Sequence, residues 1–348
     1  MKRLLRVALY ALAALAASSI VAVAADSPAG PRLAVLIDGV EGPSTRTEEG
    51  YTSVLATVGP AGEEPLILIT QPGGDRPSWS ADGRLLVLSA TGGRSPRSIV
   101  AVADQEQDRL RFYPRAYLNA GGNPVVSPDG RRVVFERAKL VKVLPGRENY
   151  LFKSSIWSLN VADGSVKQRT RWRLQSSLSP ISFSADGSTL AAEYSHRGMV
   201  SAVAVDLRSG HLSLLARNAR QPTFSPDGSK LAFIRYRGWP APHIQLPEIP
   251  RPVSELLVSH TDGSAAKRLL RRRGFISWPS WDPSGARLAF THFPADPIGE
   301  PNAEEGDKLM AINADGSCLM KVFSDPELIV RGSAWQPGVG REAGPIGC

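Results

Sequence analysis

The sequence predicts an all-β protein, a six-bladed β-propeller whose four-stranded antiparallel blades are closed by strands from both chain ends. A short phrase recurs at spacings of 41 to 57 residues, and apolar strand-forming segments flank each copy. A repeat of this length with strands on both sides indicates a propeller or solenoid. The copies lie near residues 77–90, 124–137, 180–194, 222–236, 279–292 and 333–338, with Trp79, Val126, Phe183, Phe224, Trp281 and Trp335 at their apolar centres.

Each complete repeat is predicted to form two β-hairpins. The phrase starts at a proline, continues as a short strand and turns at Asp-Gly, as in Pro222-Thr-Phe-Ser-Pro-Asp-Gly228. Asp favours such turns, and Gly supplies the positive φ that a tight hairpin needs. A second strand, a loop, a third strand and another turn follow, as at Ala162-Asp-Gly164. Four antiparallel strands per repeat are typical of one propeller blade.

The two ends of the repeat region supply the sixth blade. Residues 32–70 carry three strand segments without a preceding Asp-Gly phrase, and the Trp335 copy carries a first strand with nothing after it. Together they predict one blade built from opposite ends of the chain, which would protect sheet edges from exposure. Residues 25–348 are therefore predicted to form a single propeller domain.

The repeat resembles that of a known family. The pattern Pro-x-Trp/Phe-Ser-Pro-Asp-Gly-(Lys/Arg)-x-Leu-Ala-Phe, followed by segments such as Ile156-Trp-Ser-Leu-Asn160, is similar to the TolB-type β-propellers over roughly residues 32–338. TolB itself has an additional α/β domain ahead of its propeller, and the sequence leaves no room for one after the leader. The resemblance therefore implies the propeller fold, and the lack of room for the α/β domain argues against a direct role in the Tol system.

The first 24 residues are predicted to be a secretory signal peptide. Lys2, Arg3 and Arg6 precede an apolar core over residues 7–17, and the small residues Ala22-Val-Ala24 suit cleavage before Ala25. This leader predicts a periplasmic or secreted protein that is not an integral membrane protein once the leader is removed. The alternative is an uncleaved membrane anchor, because residues 7–25 approach the length of a membrane span.

Composition fits one globular domain of mildly basic character. The whole chain has a net charge of +8, and without the three leader cations 38 basic residues oppose 33 acidic ones, which leaves +5. A surplus of this size favours acidic partners slightly and does not indicate nucleic acid. We expect a monomer without a cofactor.

Two cysteines, Cys318 and Cys348, are the only ones in the chain. An oxidising compartment permits a disulfide between them, which would fasten the C-terminal tail to the fifth blade. The alternative is two unpaired thiols, because the geometry is not visible from sequence.

Topology predicts which face of the propeller binds. The Asp-Gly turns lie on one face, which we call the turn face. The opposite face, here called the loop face, receives the insertions 38–51, 137–155, 235–253 and 292–307, and variable loops on a rigid scaffold are where binding residues concentrate. Arginine with aromatic residues is the composition of interface hot spots. The predicted binding residues are Arg76, Arg147, Tyr150, Arg235, Tyr236, Arg237, Trp239, His243 and His292.

Each of these features also has an alternative interpretation, in most cases a purely structural one. The basic loops can be a solvated rim, with their aromatic residues packed under Pro-rich segments. The acidic segment 300–307 can bind a cation or simply be solvated, and the repeated Trp and Phe residues can form a carbohydrate platform or pack between blades. His196 and His292 could meet in a channel metal site, as in the related oligogalacturonate lyases, or serve as loop-packing side chains.

Sequence signals of catalysis are weak. We find no Gly-x-Ser-x-Gly elbow, no His-Glu-x-x-His and no Walker-type loop, so we predict no catalytic residues and no metal site. The predicted function is non-catalytic binding of a protein partner through the loop face. The alternative is binding or processing of an anionic small molecule or glycan at the channel mouth.

Overall fold

The fold is taken from a computed structural model that describes residues 33–41, 51–58, 66–70, 72–91, 98–107, 109–118, 122–143, 150–237, 253–294, 307–324 and 329–337. All regular structure in these ranges is β-strand, arranged in six antiparallel sheets. Five sheets have four strands and one has five, so the predicted six-bladed all-β propeller is confirmed, with one blade departing from the predicted strand number.

Blades 1 and 2 follow each other along the chain. Blade 1 contains β4 (Pro72–Trp79), β5 (Leu85–Thr91), β6 (Ser98–Asp104) and β7 (Arg109–Leu118). Blade 2 contains β8 (Val125–Val126), β9 (Arg132–Val143), β10 (Tyr150–Asn160), β11 (Val166–Gln168) and β12 (Arg173–Leu174).

Blades 3, 4 and 5 each contain four strands in sequence order. Blade 3 contains β13 (Ser176–Phe183), β14 (Thr189–His196), β15 (Met199–Asp206) and β16 (Leu212–Arg217). Blade 4 contains β17 (Arg220–Phe224), β18 (Lys230–Arg237), β19 (Val253–His260) and β20 (Lys267–Arg273). Blade 5 contains β21 (Phe275–Trp281), β22 (Arg287–Phe293), β23 (Lys308–Asn313) and β24 (Met320–Ser324).

Blade 6 joins the two ends of the chain, as the sequence predicts. It contains β25 (Ile329–Trp335), β1 (Leu33–Glu41), β2 (Tyr51–Val58) and β3 (Leu66–Thr70), in that order across the sheet. Strand β25 pairs antiparallel with β1, and Trp335 lies opposite Leu33. The first strands β4, β8, β13, β17, β21 and β25 contact one another in this order and close the ring.

Blade 2 departs from the predicted four strands because its outer strand is interrupted. Both β11 and β12 pair with β10, at different points along it. Between them, Thr170 is buried and bonds to the blade: its Oγ1 accepts the Ile156 backbone N–H at 2.9 Å, and its carbonyl accepts the Ser155 hydroxyl at 2.7 Å. The Thr170 hydroxyl thus accepts a backbone N–H of β10 that a neighbouring strand would otherwise accept, and the outer strand is interrupted at this point.

The predicted insertion at 137–155 is also different from the expected loop. Most of it belongs to an extended hairpin, since β9 continues to Val143 and β10 starts at Tyr150. At its base, Arg137 is buried between the rings of Tyr117 and Trp157, each centred 4.2 Å from the guanidinium carbon. The exposed apolar residues Leu140 and Phe152 lie opposite each other near its tip.

The repeated aromatic residues pack between blades. Trp281 of blade 5 lies in one apolar cluster with Ala232 and Ile234 of blade 4. Trp79 similarly joins Ala34 and Ala334 of blade 6. The inter-blade interpretation of this series is therefore confirmed, because each aromatic side chain fills the space against the preceding blade.

The Asp-Gly turns that follow the first strands of blades 1 to 4 share one internal hydrogen-bond pattern. In blade 4, the Ser225 hydroxyl donates to Asp227 Oδ1 at 2.6 Å and accepts the Lys230 N–H at 2.9 Å, while Asp227 accepts the Ser229 N–H at 3.0 Å. Gly83, the corresponding glycine of blade 1, has a φ of 72°, and a β-carbon there would collide with the Pro337 carbonyl. The turn phrase is thus defined by side-chain chemistry as well as by backbone conformation.

These turns make stability sensitive to acid. The hydrogen bond from Ser225 and those from Ser229 lower the pKa of Asp227 to about 2, and that from Ser184 lowers the pKa of Asp186. Because the folded pKa lies below the unfolded one, this stabilisation is present above the ordinary pKa near 4 and is lost as the pH falls through about 2. We expect D227N to be less stable than the wild type in urea unfolding at pH 6, and the difference to vanish near pH 2. A difference independent of pH would contradict this account.

Cys318 is oxidised in a disulfide. It lies at the end of the turn after β23, with a φ of 51°. Cys348 lies outside the described residues, so the pairing of these two cysteines stays a prediction. The part of the chain that the structure describes contains no helix of the length and apolarity needed to cross a membrane.

Candidate functional site

The structure describes some of the predicted binding residues and not others. Arg147, Trp239 and His243 lie outside the described residues, and Tyr150 starts β10 without a described side chain. The side chains of Arg76, Arg235, Tyr236, Arg237 and His292 are described. Of these, the structure brings Arg235 and Arg237 together on one side of blade 4. Tyr236 projects from the other side, Arg76 lies in the central channel, and His292 contacts the backbone carbonyl of Arg273.

Strand register assembles an arginine cluster on one side of blade 4. Glu255 of β19 lies directly between Arg235 of β18 and Arg271 of β20. One step further along, Arg237 and Arg273 flank Val253 in the same way. Residues directly opposite each other in antiparallel strands project from the same side of the sheet. We call Arg235, Arg237, Glu255, Arg268, Arg271 and Arg273 the arginine face.

Glu255 is the single acid of the arginine face. Its carboxylate is buried and accepts Nε of Arg237 at 2.7 Å and Nη1 of Arg268 at 3.1 Å. Burial acts to raise the pKa of Glu255, but the hydrogen bonds from Arg237 and Arg268 outweigh it and hold the pKa below its usual value. Glu255 therefore stays ionised and orients two of the five arginines.

The other three arginines are not neutralised by Glu255. The guanidinium of Arg235 lies 5.2 Å from the centre of the Phe233 ring, and its buried Nε has no hydrogen-bond partner. Arg271 and Arg273 are exposed, and neither side chain pairs with an acid within the described ranges. Five cations around one anion leave a net charge of +4 at the end of the blade that borders the loop face.

Tyr236 projects from the opposite side of β18, because successive side chains of a strand alternate. Its hydroxyl donates to the Ile276 carbonyl of blade 5 at 2.9 Å, and its ring meets Phe275 edge-on at 5.5 Å between centres. Burial raises the pKa of Tyr236. This residue joins blades 4 and 5, so its predicted role in binding has no support from its position.

The two candidate metal-site histidines each contact a backbone carbonyl: His196 of blade 3 contacts the residue just before β13, and His292 of blade 5 contacts the last residue of β20 in blade 4. His196 Nδ1 lies 3.1 Å from the Gln175 carbonyl, and His292 Nε2 lies 2.8 Å from the Arg273 carbonyl. Each contact holds the chain at the connection between two consecutive blades. Nowhere in the described ranges do three His, Cys, Asp or Glu side chains come together as a metal site would need.

Arg76 lies in the central channel, away from the arginine face. Arg76 belongs to β4 of blade 1. Its Nη1 donates to the Ile181 carbonyl of blade 3 at 3.1 Å, so the contact joins two blades that are not neighbours in the ring. Burial lowers the pKa of Arg76 to about 10, which leaves the guanidinium charged at neutral pH. The channel and the arginine face are therefore two separate cationic sites.

Sequence reasoning missed Glu255 and Arg268. Glu255 reads as one polar residue within an apolar strand, and Arg268 as one of many cations in the segment Lys267–Arg273. Their roles depend on the registers of three strands separated by turns and by residues 238–252. The only available signal was a charged residue inside a buried strand, which is rare unless it is paired.

Comparisons with solved structures support the architecture. TolB from Acinetobacter baumannii has a TM-score of 0.62 at 18% identity, covering 88% of this chain and 67% of that one. A putative TolB from Agrobacterium tumefaciens gives 0.55 at 18% identity, with coverage of 88% and 99%. This chain has a TolB-like propeller fold.

The TolB-like fold is shared with proteins of quite different names. A chain of the nidogen/laminin complex gives a TM-score of 0.58 at 11% identity, covering 89% of this chain and 99% of that one. No protein-family model matches the sequence, and no curated protein does. Because fold does not determine function, the role of this TolB-like propeller is argued from its sites.

Proposed function

We propose that this TolB-like propeller is a non-catalytic binding protein that recognises an acidic segment of a protein partner through the arginine face. The proposal depends on one observation: strand register places Arg235 and Arg237 of β18 and Arg271 and Arg273 of β20 on the same side of the sheet, around the buried Glu255. Arginines offer planar, paired donors that fit carboxylates, which suits recognition of aspartate and glutamate side chains.

The pre-orientation of the arginine face supports this role. Arg237 and Arg268 are held by Glu255, so they lose little side-chain freedom when a partner binds. Arg271 and Arg273 are free to engage carboxylates because the acid of the cluster is already occupied. An uncompensated charge of this size also accelerates encounter with acidic partners at low salt.

Exposed apolar residues on the same side of the molecule add possible anchors. Leu140 and Phe152 lie at the extended hairpin of blade 2, and Met199 lies at the β14–β15 turn, where it is 70% exposed. An interface combines a few apolar anchors with a charged surround, and this face offers both. The predicted leader over residues 1–24 supports a periplasmic or secreted setting for this partner.

The proposal predicts a specific loss on charge reversal. We expect R271E/R273E to weaken binding of a fluorescent Glu/Asp-rich peptide by at least about tenfold, which corresponds to about 1.4 kcal/mol. Anisotropy titrations at low and high salt would measure this, and the wild-type affinity should fall steeply with salt.

The matched control is R109E/R111E on β7. These arginines have the same spacing on the outermost strand of blade 1 and give the same change in net charge. We expect this variant to bind the peptide within about twofold of the wild type, because Arg109 and Arg111 belong to a different blade and charges far from the binding site are largely screened by salt. Equal losses in both variants would mean that the peptide senses net charge alone, and the proposed site would be wrong.

A further inference from the structure

The central channel holds a cavity of about 360 Å³ to which all six blades contribute. One residue from each Asp-Gly phrase, or its equivalent, forms the mouth on the turn face. These residues are small or cyclic and carry no side-chain polar atom: Ala81, Pro128, Ala185, Pro226, Pro283 and Pro337. The mouth is therefore an apolar ring.

Serine hydroxyls line the channel further inside. Oγ of Ser78 accepts the Val126 N–H at 3.2 Å, and Oγ of Ser182 accepts the Phe224 N–H at 2.9 Å. Each bond joins two different blades and uses the oxygen of the hydroxyl. The hydrogen of each hydroxyl stays available for donation to a ligand, since a serine can accept and donate at once.

Arg76 is the one charged residue among the described residues that line this cavity. One of its five N–H donors is used by the Ile181 carbonyl, and no carboxylate in the described ranges pairs with it. Arg76 is half-buried and has no counter-ion among the described residues, which is unfavourable for the charged form, and its lowered pKa reflects this desolvation. An anion that entered the channel would relieve this cost.

We propose that the channel binds a small organic monocarboxylate whose carboxylate pairs with Arg76 and whose apolar body lies in the ring of prolines and aromatic side chains. The single cation matches a single negative charge. Hydroxyl donors from Ser78 and Ser182 supplement the guanidinium, and the lining otherwise consists mainly of Pro, Ala, Trp and Phe. This site is separate from the arginine face and goes beyond the proposed partner binding.

Benzoate is a suitable probe because it joins one carboxylate to a compact apolar ring. Trp79, Trp281 and Trp335 line the cavity, so binding should change the intrinsic tryptophan fluorescence of residues 25–348. We expect saturable binding of benzoate, and binding at least about tenfold weaker of the neutral analogue benzyl alcohol and of inorganic phosphate. Equal or tighter binding of either analogue, or no binding of benzoate, would overturn the proposal.

Two variants test the role of Arg76. We expect R76Q to lose at least about tenfold in benzoate affinity and R76K to keep part of it, while the exposed Arg208 offers a matched control in R208Q. If R76Q proves unstable by circular dichroism, S182A retains Arg76 and should lower the affinity about threefold. Unchanged binding in both R76Q and S182A would place benzoate elsewhere. R271E/R273E should bind benzoate normally, so the two proposals can fail independently.

Discussion

Replacing Asp282 with alanine is expected to lower the free energy of unfolding by about 3–5 kcal/mol, because it leaves a buried arginine without its partner. Asp282 and Arg287 are 0% and 4% exposed, and their side chains are 3.1 Å apart. Asp282 also accepts the N–H groups of Ala286 and Arg287, at 2.9 and 3.0 Å. The substitution therefore removes an ion pair and two backbone contacts together.

Asp282 matters because blade 5 exchanges two residues of the turn phrase. The other complete blades have serine first and aspartate two residues later, as in Ser225 and Asp227, whereas blade 5 has Asp282 and Ser284. The carboxylate of Asp282 accepts the backbone N–H of the residue five positions later, which the serine hydroxyl accepts in the other blades. The negative charge, which the exchange moves to this buried position, is balanced by Arg287, and Arg287 occupies the position of Thr189 in blade 3.

A set of exchange variants separates the turn from the ion pair. D282S/S284D restores the usual phrase but leaves Arg287 unpaired, so we expect it to remain well below the wild type in urea unfolding. Adding R287T should recover most of the loss, since Thr189 occupies this position in blade 3. S284A is the mild control. A loss below about 1 kcal/mol in D282A would contradict the assigned role of the pair, since breaking a buried pair costs more.

Replacing Trp335 with alanine is expected to give a loss of about 3–5 kcal/mol, the usual range for a buried tryptophan. Trp335 is 4% exposed and packs with Leu33 and Val35 of β1 and with Ala289 of blade 5. Its backbone also lies opposite Leu33 in the sheet that closes the ring. The substitution weakens the closure of blade 6 and its packing on blade 5 at once.

Thermal unfolding should show this effect as a fall in Tm on the order of 10 °C. W172A is the matched control, because Trp172 is half-buried at the interrupted outer strand of blade 2, where its ring centre lies 6.3 Å from that of Trp157 and 5.3 Å from the Lys153 ammonium. Equal losses in the two variants would mean that the effect of W335A does not come from the closure of the ring at blade 6. W335A and D282A should not be additive, since Arg287 lies 5.5 Å from the Trp335 ring and couples them.

The candidate site was only partly predictable. Arg235 and Arg237 were selected from the sequence as basic residues beside an insertion, and the structure places them in one cluster. Tyr236 was selected with them for the same reason, but alternation along β18 turns it toward blade 5. Glu255 was not selected, because its importance comes from Arg237 and Arg268, which lie 18 and 13 residues away.

The sequence by itself determined the architecture of this protein. Short-range chemistry repeats in blades 1 to 4: an apolar strand residue is followed by a turn whose Ser, Asp and Gly satisfy one another within six residues, and blade 5 keeps this turn with Asp and Ser exchanged. These five copies, together with the incomplete copy at Trp335 and the three strand segments at the start of the chain, are sufficient to count the blades and predict the closure. Local interactions of this kind can be read from the chain because the interacting residues are neighbours in sequence.

Only the tertiary structure determines where the charged side chains that form the two sites come together. The arginine face depends on the registers of β18, β19 and β20, and a shift of one residue in β20 would turn Arg271 and Arg273 to the other side of the sheet. The channel depends on ring closure, which brings Arg76 of blade 1 to the Ile181 carbonyl of blade 3, 105 residues away. These sites arise from long-range packing and register, and no local pattern in the sequence encodes them.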